Sequence, residues 1–272
     1  MVKEILKNKQ AVIGLIMMFI VAFIAVFAPF IAVNNPEEIS PAQKFARFSG
    51  RYPLGADQLG RCIFSRLIYG ARYSLGIAIP VLLILAVIST FLGTVSAYIG
   101  GRFDRIFSIF CDIFMAFPPL LVVLSLVGAL GQGILNIMIA VIFSMWVWFA
   151  RVIRSYVLME KKKGYVTASK IVGCSDIQII TRHIIPNILP AFIVYFSTGV
   201  AGIILMISGF SFLGLGIEAG VPEWGAMLSS AKPYLYSRPL LLIYPGIFIL
   251  FTAAGFNLFG EALRDIISPE GG

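Results

Sequence analysis

Six long apolar segments alternate with short polar stretches along the chain. They cover residues 11–33, 74–99, 106–130, 134–150 with a few residues beyond, 191–217 and 239–260. A helix needs about 20 mostly apolar residues to cross roughly 30 Å of hydrocarbon, and backbone exposed to lipid is satisfied only in helices or closed barrels. These segments are too long for barrel strands. The pattern therefore predicts an all-α polytopic membrane protein with about six transmembrane helices.

The composition agrees with this prediction. Of the 272 residues, 59% are hydrophobic and only 12% are charged, whereas soluble domains carry about 25% charged residues. The N-terminal run 11–33 is too long for the apolar part of a signal peptide, so we expect it to remain as a membrane span. The three cysteines are widely spaced and predict neither a disulfide framework nor a metal site.

The basic residues predict the orientation in the cell membrane. The net charge is +8, but the lysines and arginines flank apolar segments, where they set topology and meet lipid headgroups, so nucleic acid is not an expected partner. An even number of spans places both termini on one side. Thirteen of the 21 lysines and arginines fall on that side, which predicts that both termini are cytoplasmic.

The first external loop is itself basic, and its apolar residues suggest a short amphipathic helix on the membrane surface. This feature divides the chain into an N-terminal part, residues 1–73, with one span and the amphipathic segment, and a core, residues 74–272. The apolar residues at helical spacing, and the two arginines opposite them, are Leu59, Ile63, Phe64, Leu67 and Ile68, with Arg61 and Arg66.

The third apolar segment contains a charge and two helix breakers. Pro118 and Pro119 interrupt it, and Asp112 is an ionisable group within it. Breakers inside a span are tolerated where neighbouring helices or a water-lined cavity satisfy the freed carbonyls, so these residues are candidates for a pathway between helices. Two plainer interpretations stay open: a packing kink at the prolines, and an interfacial ion pair between Asp112 and a nearby arginine, about one turn from the cytoplasmic end.

A polar stretch of about 30 residues, 160–190, separates the fourth and fifth apolar segments, although a handful of residues could join two spans. Gly173 can take the left-handed conformation that ends a helix, and Ser175 with Gln178 has the spacing of a capping box. Pro186 and Pro190 are expected to break the chain before the next span. The pattern predicts a cytoplasmic helix-turn-helix hairpin, which is either a docking element or an ordinary solvated loop.

This hairpin resembles the cytoplasmic motif of ABC importer permeases. That motif reads E-A-A, three residues, Gly, nine residues and I-x-L-P, and here T-A-S is followed by Gly173 and H-I-I-P. Thr167 replaces the Glu, Ser169 the second Ala, His183 the Ile and Ile185 the Leu. These departures are typical of the branch that handles peptides and nickel.

Four other segments are similar to the second permease subunit of dipeptide, oligopeptide and nickel importers. They are YPLGADQLGRCIFSRLIYGARYSLG at 52–76, DIFMAFPPLL at 112–121, SFLGLGIEAGVPEWGAML at 211–228 and FNLFGEALRDIISPE at 256–270. The resemblance implies half of a translocation pathway for nickel or a metal chelate, or alternatively for dipeptides or oligopeptides. It also implies a heterodimer with a homologous permease, two ATP-binding subunits and an extracytoplasmic binding protein.

The resemblance assigns roles to individual residues. The chain contains no G-x-x-x-x-G-K phosphate loop, so ATP would be hydrolysed by the partner subunits. In this chain itself, no cofactor and no catalytic or metal-ligating set is expected. Glu223 and Trp224 fall in an external loop where a binding protein could dock, although Trp is also common at membrane interfaces. The expected ATPase-coupling residues are Tyr165, Thr167, Ala168, Ser169, Gly173, Ser175 and Asp176.

An ion-coupled secondary transporter is the competing class. Such a protein needs coupling-ion groups near the bilayer midplane and often has two inverted halves. The apolar segments offer one carboxylate, Asp112, and no evident repeat. The sequence therefore favours a permease driven by a separate ATPase.

Overall fold

A computed structural model of the chain describes residues 2–267, so the predicted core 74–272 and the segment 256–270 extend beyond the described residues. Within that range the regular structure is helical. A π-helical turn covers Ile180–Ile184 and short 3-10 turns cover Pro41–Gln43 and Lys232–Tyr234. The α-helices are α1 Val2–Lys7, α2 Lys9–Ile31, α3 Ile63–Ile99, α4 Gly101–Met115, α5 Pro119–Leu130, α6 Ile134–Lys161, α7 Gly164–Ile171, α8 Asp176–Ile179, α9 Ile185–Phe212, α10 Trp224–Ala231 and α11 Leu240–Ile267.

The prediction of an all-helical membrane protein with about six spans is confirmed. Five helical stretches of the described chain are long and apolar enough to cross a bilayer, and a bent pair of helices supplies a sixth. The five are α2, α3, α6, the stretch Asp176–Phe212 that ends with α9, and α11. The bent pair is α4 with α5.

The third predicted span is not one straight helix. α4 ends at Met115, α5 begins at Pro119, and their axes meet at 77°. Pro118 and Pro119 lack the backbone N–H that a continuing helix needs, and their rings clash with the preceding turn. The break therefore leaves two short helices, of 15 and 12 residues, neither long enough to cross about 30 Å alone.

The predicted surface helix in the first external loop is wrong. Residues 63–68 are the first turns of α3, which continues through the expected domain boundary at residue 73 to Ile99. Arg61 and Arg66, expected on a polar face, are 3% and 1% exposed. The helical spacing was read correctly, but the charged residues on the opposite side are buried by the surrounding loops.

Pro186 and Pro190 do not break the chain before the fifth span. α8 continues through the π-helical turn Ile180–Ile184 into α9, and the backbone N–H of Ile185 bonds to the carbonyl of Ile180. Pro186 is the second residue of α9, directly after this turn, where the regular i→i−4 pairing is already replaced, whereas Pro190 lies inside α9. The helix therefore passes both prolines.

The helices run between two polar ends, here called the hairpin end and the loop end. The hairpin end carries residues 162–184, and the loop end carries residues 32–62 and 213–239. At the loop end the backbone N–H of Asn34 bonds to Ser65 Oγ at 3.0 Å, joining the end of α2 to the start of α3. At the opposite end Gln10 Nε2 donates to Glu261 Oε2 at 3.2 Å. The first and last spans therefore begin and finish at the same end.

Close backbone contact between helices organises the bundle. A Cβ added to Gly93 of α3 would lie 2.5 Å from the carbonyl oxygen of Ala150 in α6. A Cβ on Gly14 of α2 would lie 2.6 Å from the backbone nitrogen of Phe259 in α11. Small residues at such positions let helices pack closely in a membrane, where apolar side chains have little preference for each other over lipid.

We expect Gly93→Ala to destabilise the protein although alanine is the better helix former. The new methyl group meets backbone atoms of α6, which cannot rotate away, and overpacking of this kind costs about 1–3 kcal/mol. Gly76→Ala in the same helix is the matched control, because a Cβ there meets no described atom within 4 Å. Thermal unfolding in detergent should show a lower midpoint for Gly93→Ala only; equal midpoints for the two variants would contradict the close contact.

Candidate functional site

The predicted hairpin is present, with its turn at the predicted glycine. α7 covers Gly164–Ile171, Gly173 has φ of +87°, and α8 begins at Asp176. Ser175 Oγ accepts a hydrogen bond from the Gln178 backbone N–H at 3.3 Å, and Gln178 Oε1 accepts one from the Ser175 backbone N–H at 2.9 Å. Both halves of the predicted capping box are formed. The local signals in the sequence were sufficient to fix this turn.

The tip of the hairpin is apolar and exposed. Ile171, Val172 and Ile177 are 81%, 82% and 74% exposed. Thr167 and Ala168 are also exposed, whereas Ser169 is half-buried and donates to the Tyr165 carbonyl at 2.9 Å. An apolar surface that is retained at a polar end of the molecule is typical of a protein-protein contact.

The base of the hairpin is packed against the bundle. Val166, Ile179 and Ile184 are 2%, 0% and 0% exposed. Tyr165 Oη donates to Glu160 Oε1 at 2.7 Å, and partial burial together with this carboxylate raises the pKa of the Tyr165 hydroxyl. The hairpin therefore combines a base that is packed against the helices with a tip that is free to contact a partner.

Sequence patterns did not single out two long-range contacts near the hairpin end, of which one joins the hairpin to α3 and the other joins α6 to α4. Tyr98 Oη donates to Asp176 Oδ1 at 2.5 Å. Arg154 of α6 binds Asp104 of α4 through two hydrogen bonds of 2.5 and 2.6 Å. These contacts join residues 50 to 78 positions apart, so a single sequence gave no local signal for them.

The broken span contains the candidate pathway residues. Asp112 Oδ1 lies 2.6 Å from Arg151 Nη1, and the two side chains are 58% and 45% exposed. Asp112 lies about three turns after the start of α4 at Gly101, rather than the expected single turn from that end, and Arg151 is ten residues before the end of α6. At 1.5 Å per residue this places the ion pair about 15 Å from the hairpin end. The predicted pairing with an arginine is confirmed, but it lies deeper than expected.

Aromatic side chains pack α4 against α6 beside this ion pair. The ring centroids of Phe114 lie 5.5 Å from those of Phe143 and 5.9 Å from those of Trp146. Pro118 is exposed and Pro119 is half-buried. Asp112 and the break at Pro118 and Pro119 thus lie close together on the bent pair α4–α5.

Glu223 and Trp224 are buried, contrary to the expectation of a docking contact. Both are 0% exposed. Glu223 caps α10: its two carboxylate oxygens accept hydrogen bonds from the Gly225 and Ala226 N–H groups at 2.9 and 2.8 Å. Burial raises the pKa of this carboxyl, and the two backbone hydrogen bonds oppose that rise. Trp224 Nε1 donates to the Leu67 carbonyl at 3.0 Å, so both side chains hold the loop end together.

No group of three or more His, Cys, Asp or Glu side chains within residues 2–267 is arranged to hold a metal ion. His183 lies in the π-helical turn, and its ring centroid is 6.1 Å from that of Tyr165.

Two family models together match most of the chain. One, described as binding-protein-dependent transport system inner membrane component, matches residues 89–270. The other, described as the N-terminal TM domain of oligopeptide transport permease C, matches residues 1–48.

Three relatives cover nearly the whole chain. The metal-staphylopine import system permease protein of Staphylococcus aureus is 38% identical over 268 residues, which is 98% of this chain and 93% of the relative. The dipeptide transport system permease protein of Alkalihalophilus pseudofirmus is 35% identical over 268 residues, 98% of this chain and 88% of the relative. The nickel transport system permease protein of Escherichia coli is 34% identical over 258 residues, 95% of this chain and 93% of the relative.

The fold and these matches define a multi-pass inner-membrane protein of the permease class. The chain belongs to the family of binding-protein-dependent transport system inner membrane components, which confirms the resemblance found in the sequence. It is a permease subunit of an ABC importer. Membership implies permease partners, ATPases and a substrate-binding protein, and the family's membrane component normally lacks an ATPase site of its own.

Proposed function

We propose that this subunit forms half of the translocation pathway for nickel or a metal chelate and is driven by ATP hydrolysis in two partner subunits. It would pair with one homologous permease as a heterodimer and receive cargo from an extracytoplasmic binding protein. The observation that carries the proposal is the hairpin, whose tip exposes Ile171, Val172 and Ile177 while its base is buried. A surface of this kind lets an ATPase that changes shape move the membrane helices.

The ATPase-coupling contact is assigned to the hairpin residues predicted from the sequence. In this assignment the hairpin is cytoplasmic, and both termini are then cytoplasmic as well. Residues 1–73 remain the proposed N-terminal part and residues 74–272 the proposed permease core. The coupling residues are Tyr165, Thr167, Ala168, Ser169, Gly173, Ser175 and Asp176.

Gly173→Val should leave the transporter inserted but unable to couple. A β-branched residue is strained at φ of +87°, and the left-handed conformation costs about 1–2 kcal/mol for residues with a Cβ, so the turn and the tip should rearrange. We expect uptake to fall to background. Gly164→Val is the matched control, because Gly164 does not need positive φ and a Cβ there meets no described atom within 4 Å.

The measurement is uptake in vesicles, combined with co-purification of the ATPase. Loss of uptake in Gly173→Val with normal uptake in Gly164→Val supports the coupling assignment. Normal uptake and normal ATPase binding in Gly173→Val would falsify it.

The cargo pathway is assigned to the face of the broken span that carries Asp112, Pro118 and Pro119. A half-exposed ion pair at membrane depth is unfavourable against lipid and is stabilised by water or by a polar partner. The exposure of both Asp112 and Arg151 supports this placement.

Cysteine labelling tests the pathway assignment. In a background with Cys62, Cys111 and Cys174 replaced by Ser, we expect Asp112→Cys and Pro118→Cys to react with a water-soluble thiol reagent in the assembled transporter. The rate should change between nucleotide-free and ATP-bound states. Phe19→Cys is the control, because Phe19 is 70% exposed on α2 and is expected to face lipid. Labelling of positions 112 and 118 as slow as that of position 19 in both states would contradict a water-filled pathway.

Dipeptides or oligopeptides are the second candidate cargo. The relatives named for a dipeptide, nickel and a metal-staphylopine complex are 34–38% identical to this chain, so identity alone does not separate them. We expect the binding protein encoded alongside this chain to bind nickel or a nickel chelate more tightly than a dipeptide, as measured by calorimetry. Tighter binding of the dipeptide would instead indicate that peptides are the cargo.

Uptake that continues on an ion gradient after ATP is removed would indicate a secondary transporter rather than an ATP-driven importer.

A further inference from the structure

The hairpin end of α3, at Tyr98, is hydrogen-bonded to the hairpin. Tyr98 lies in the last turn of α3 and is 8% exposed. Its hydroxyl donates to Asp176 Oδ1 at 2.5 Å. Asp176 is the first residue of α8, directly after the Ser175 cap, so this hydrogen bond reaches the middle of the hairpin.

Two lysines surround the same tyrosine. Lys161, the last residue of α6, donates through Nζ to the carbonyl oxygens of Ala97, at 3.2 Å, and Tyr98. The Nζ atoms of Lys161 and Lys170 lie 5.3 and 5.4 Å from the centre of the Tyr98 ring. Cations are favourable both at the unpaired carbonyls of a helix C-terminus and over an aromatic face. The end of α3 is therefore bound to α6, α7 and α8 at one point.

Beside this point α3 and the hairpin separate. An open apolar groove is lined on one side by Phe91 and Val95 of α3 and on the other by Ile177 and Thr181. No short connection ties α3 to the hairpin, since α4, α5 and α6 lie between them in sequence. Any movement of the hairpin therefore reaches α3 through noncovalent contacts, and the Tyr98–Asp176 hydrogen bond is the one described above that joins side chains of α3 and α8 directly.

α3 extends from this point to the loop end. Its 37 residues span about 55 Å, which exceeds the bilayer thickness. At the loop end Arg66 donates to the carbonyls of Pro36, Gly220 and Val221 at 3.0, 3.2 and 3.2 Å. A displacement of α3 at Tyr98 is therefore transmitted to loops on the far side of the membrane.

We propose that Tyr98 and Asp176 form the joint through which α3 follows the hairpin, so that ATP hydrolysis and the loop end are coupled by this hydrogen bond. Tyr98 acts as a positioning residue, because it is embedded at the helix end rather than at the exposed tip. The inference rests on the proposed coupling function of the hairpin. It also gives Asp176 an inward partner in addition to its place in the proposed ATPase contact.

The test uses the complete transporter, with its ATPases and binding protein, in proteoliposomes. Tyr98→Phe keeps the ring and the lysine contacts and removes only the hydroxyl. We expect ATP hydrolysis to stay within about twofold of the wild type, while cargo transported per ATP falls about tenfold, because a hydrogen bond to a charged acceptor is lost. Because Asp176 also lies in the proposed ATPase contact, only cargo transported per ATP is compared for Asp176→Ala, and it should fall to a similar degree. Asp176→Asn, which keeps an acceptor oxygen, should retain coupling.

A double-mutant comparison decides between a joint and a general structural role. If the two residues act through one hydrogen bond, Tyr98→Phe with Asp176→Ala should be no worse than either single change. Additive losses, or equal losses of ATP hydrolysis and transport in Tyr98→Phe, would overturn the joint. Uncoupling by Gly173→Val together with normal coupling in Tyr98→Phe would reject only the joint, whereas normal transport in Gly173→Val would reject the coupling function of the hairpin itself.

Discussion

The close packing of α3 on α6 is the constraint on which the other contacts depend. Gly93 brings the two backbones together near Ala150, and this register places Lys161, at the end of α6, within reach of the last carbonyls of α3. The same pairing leaves the hairpin, which follows α6 directly, beside Tyr98. Because a packed interior does not deform continuously, a shift at one end of this helix pair moves the whole pair. The glycine contact thus brings α3, which reaches the loop end, into direct contact with α6, which leads into the hairpin.

Buried charges at the loop end account for two of the basic residues in the loop that was expected to be external. Asp57 accepts from Arg61 Nε at 2.7 Å, and the Arg66 guanidinium is surrounded by three carbonyl oxygens. A buried charge is tolerated only when its hydrogen bonds are satisfied, and both arginines meet this condition. They are structural parts of the folded loop rather than surface charges that set topology. When these two arginines are left out, the excess of lysines and arginines at the hairpin end over the loop end becomes larger. This strengthens the prediction that the hairpin end is cytoplasmic.

The helices and the hairpin turn were predictable from local signals in the sequence, whereas the tertiary contacts were not predictable. The apolar segments, Gly173 and the Ser175 capping box were read correctly because each depends on residues close in sequence. The burial of Glu223 and Trp224 was missed because it depends on α3 and α9, which are far away in the chain. The prolines illustrate both outcomes. Pro118 and Pro119 bend the third span by 77°, but the helix continues past Pro186, which directly follows a π-helical turn, and past Pro190 inside α9. Single-sequence patterns do not distinguish these outcomes.

The Asp112–Arg151 ion pair constrains how the subunit sits in an assembly. Both side chains are about half-exposed, and the ion pair joins the C-terminal part of α4 to α6 about 15 Å from the hairpin end. Lipid chains offer no hydrogen bonds, so a face with an unscreened ion pair at that depth is disfavoured against the bilayer. The apolar stripe of Phe19, Phe23 and Phe27 on α2 has no such conflict. In the proposed assembly, the α4–α5 face would therefore turn inward, toward a second permease and the water between the two subunits, and α2 would turn outward to lipid.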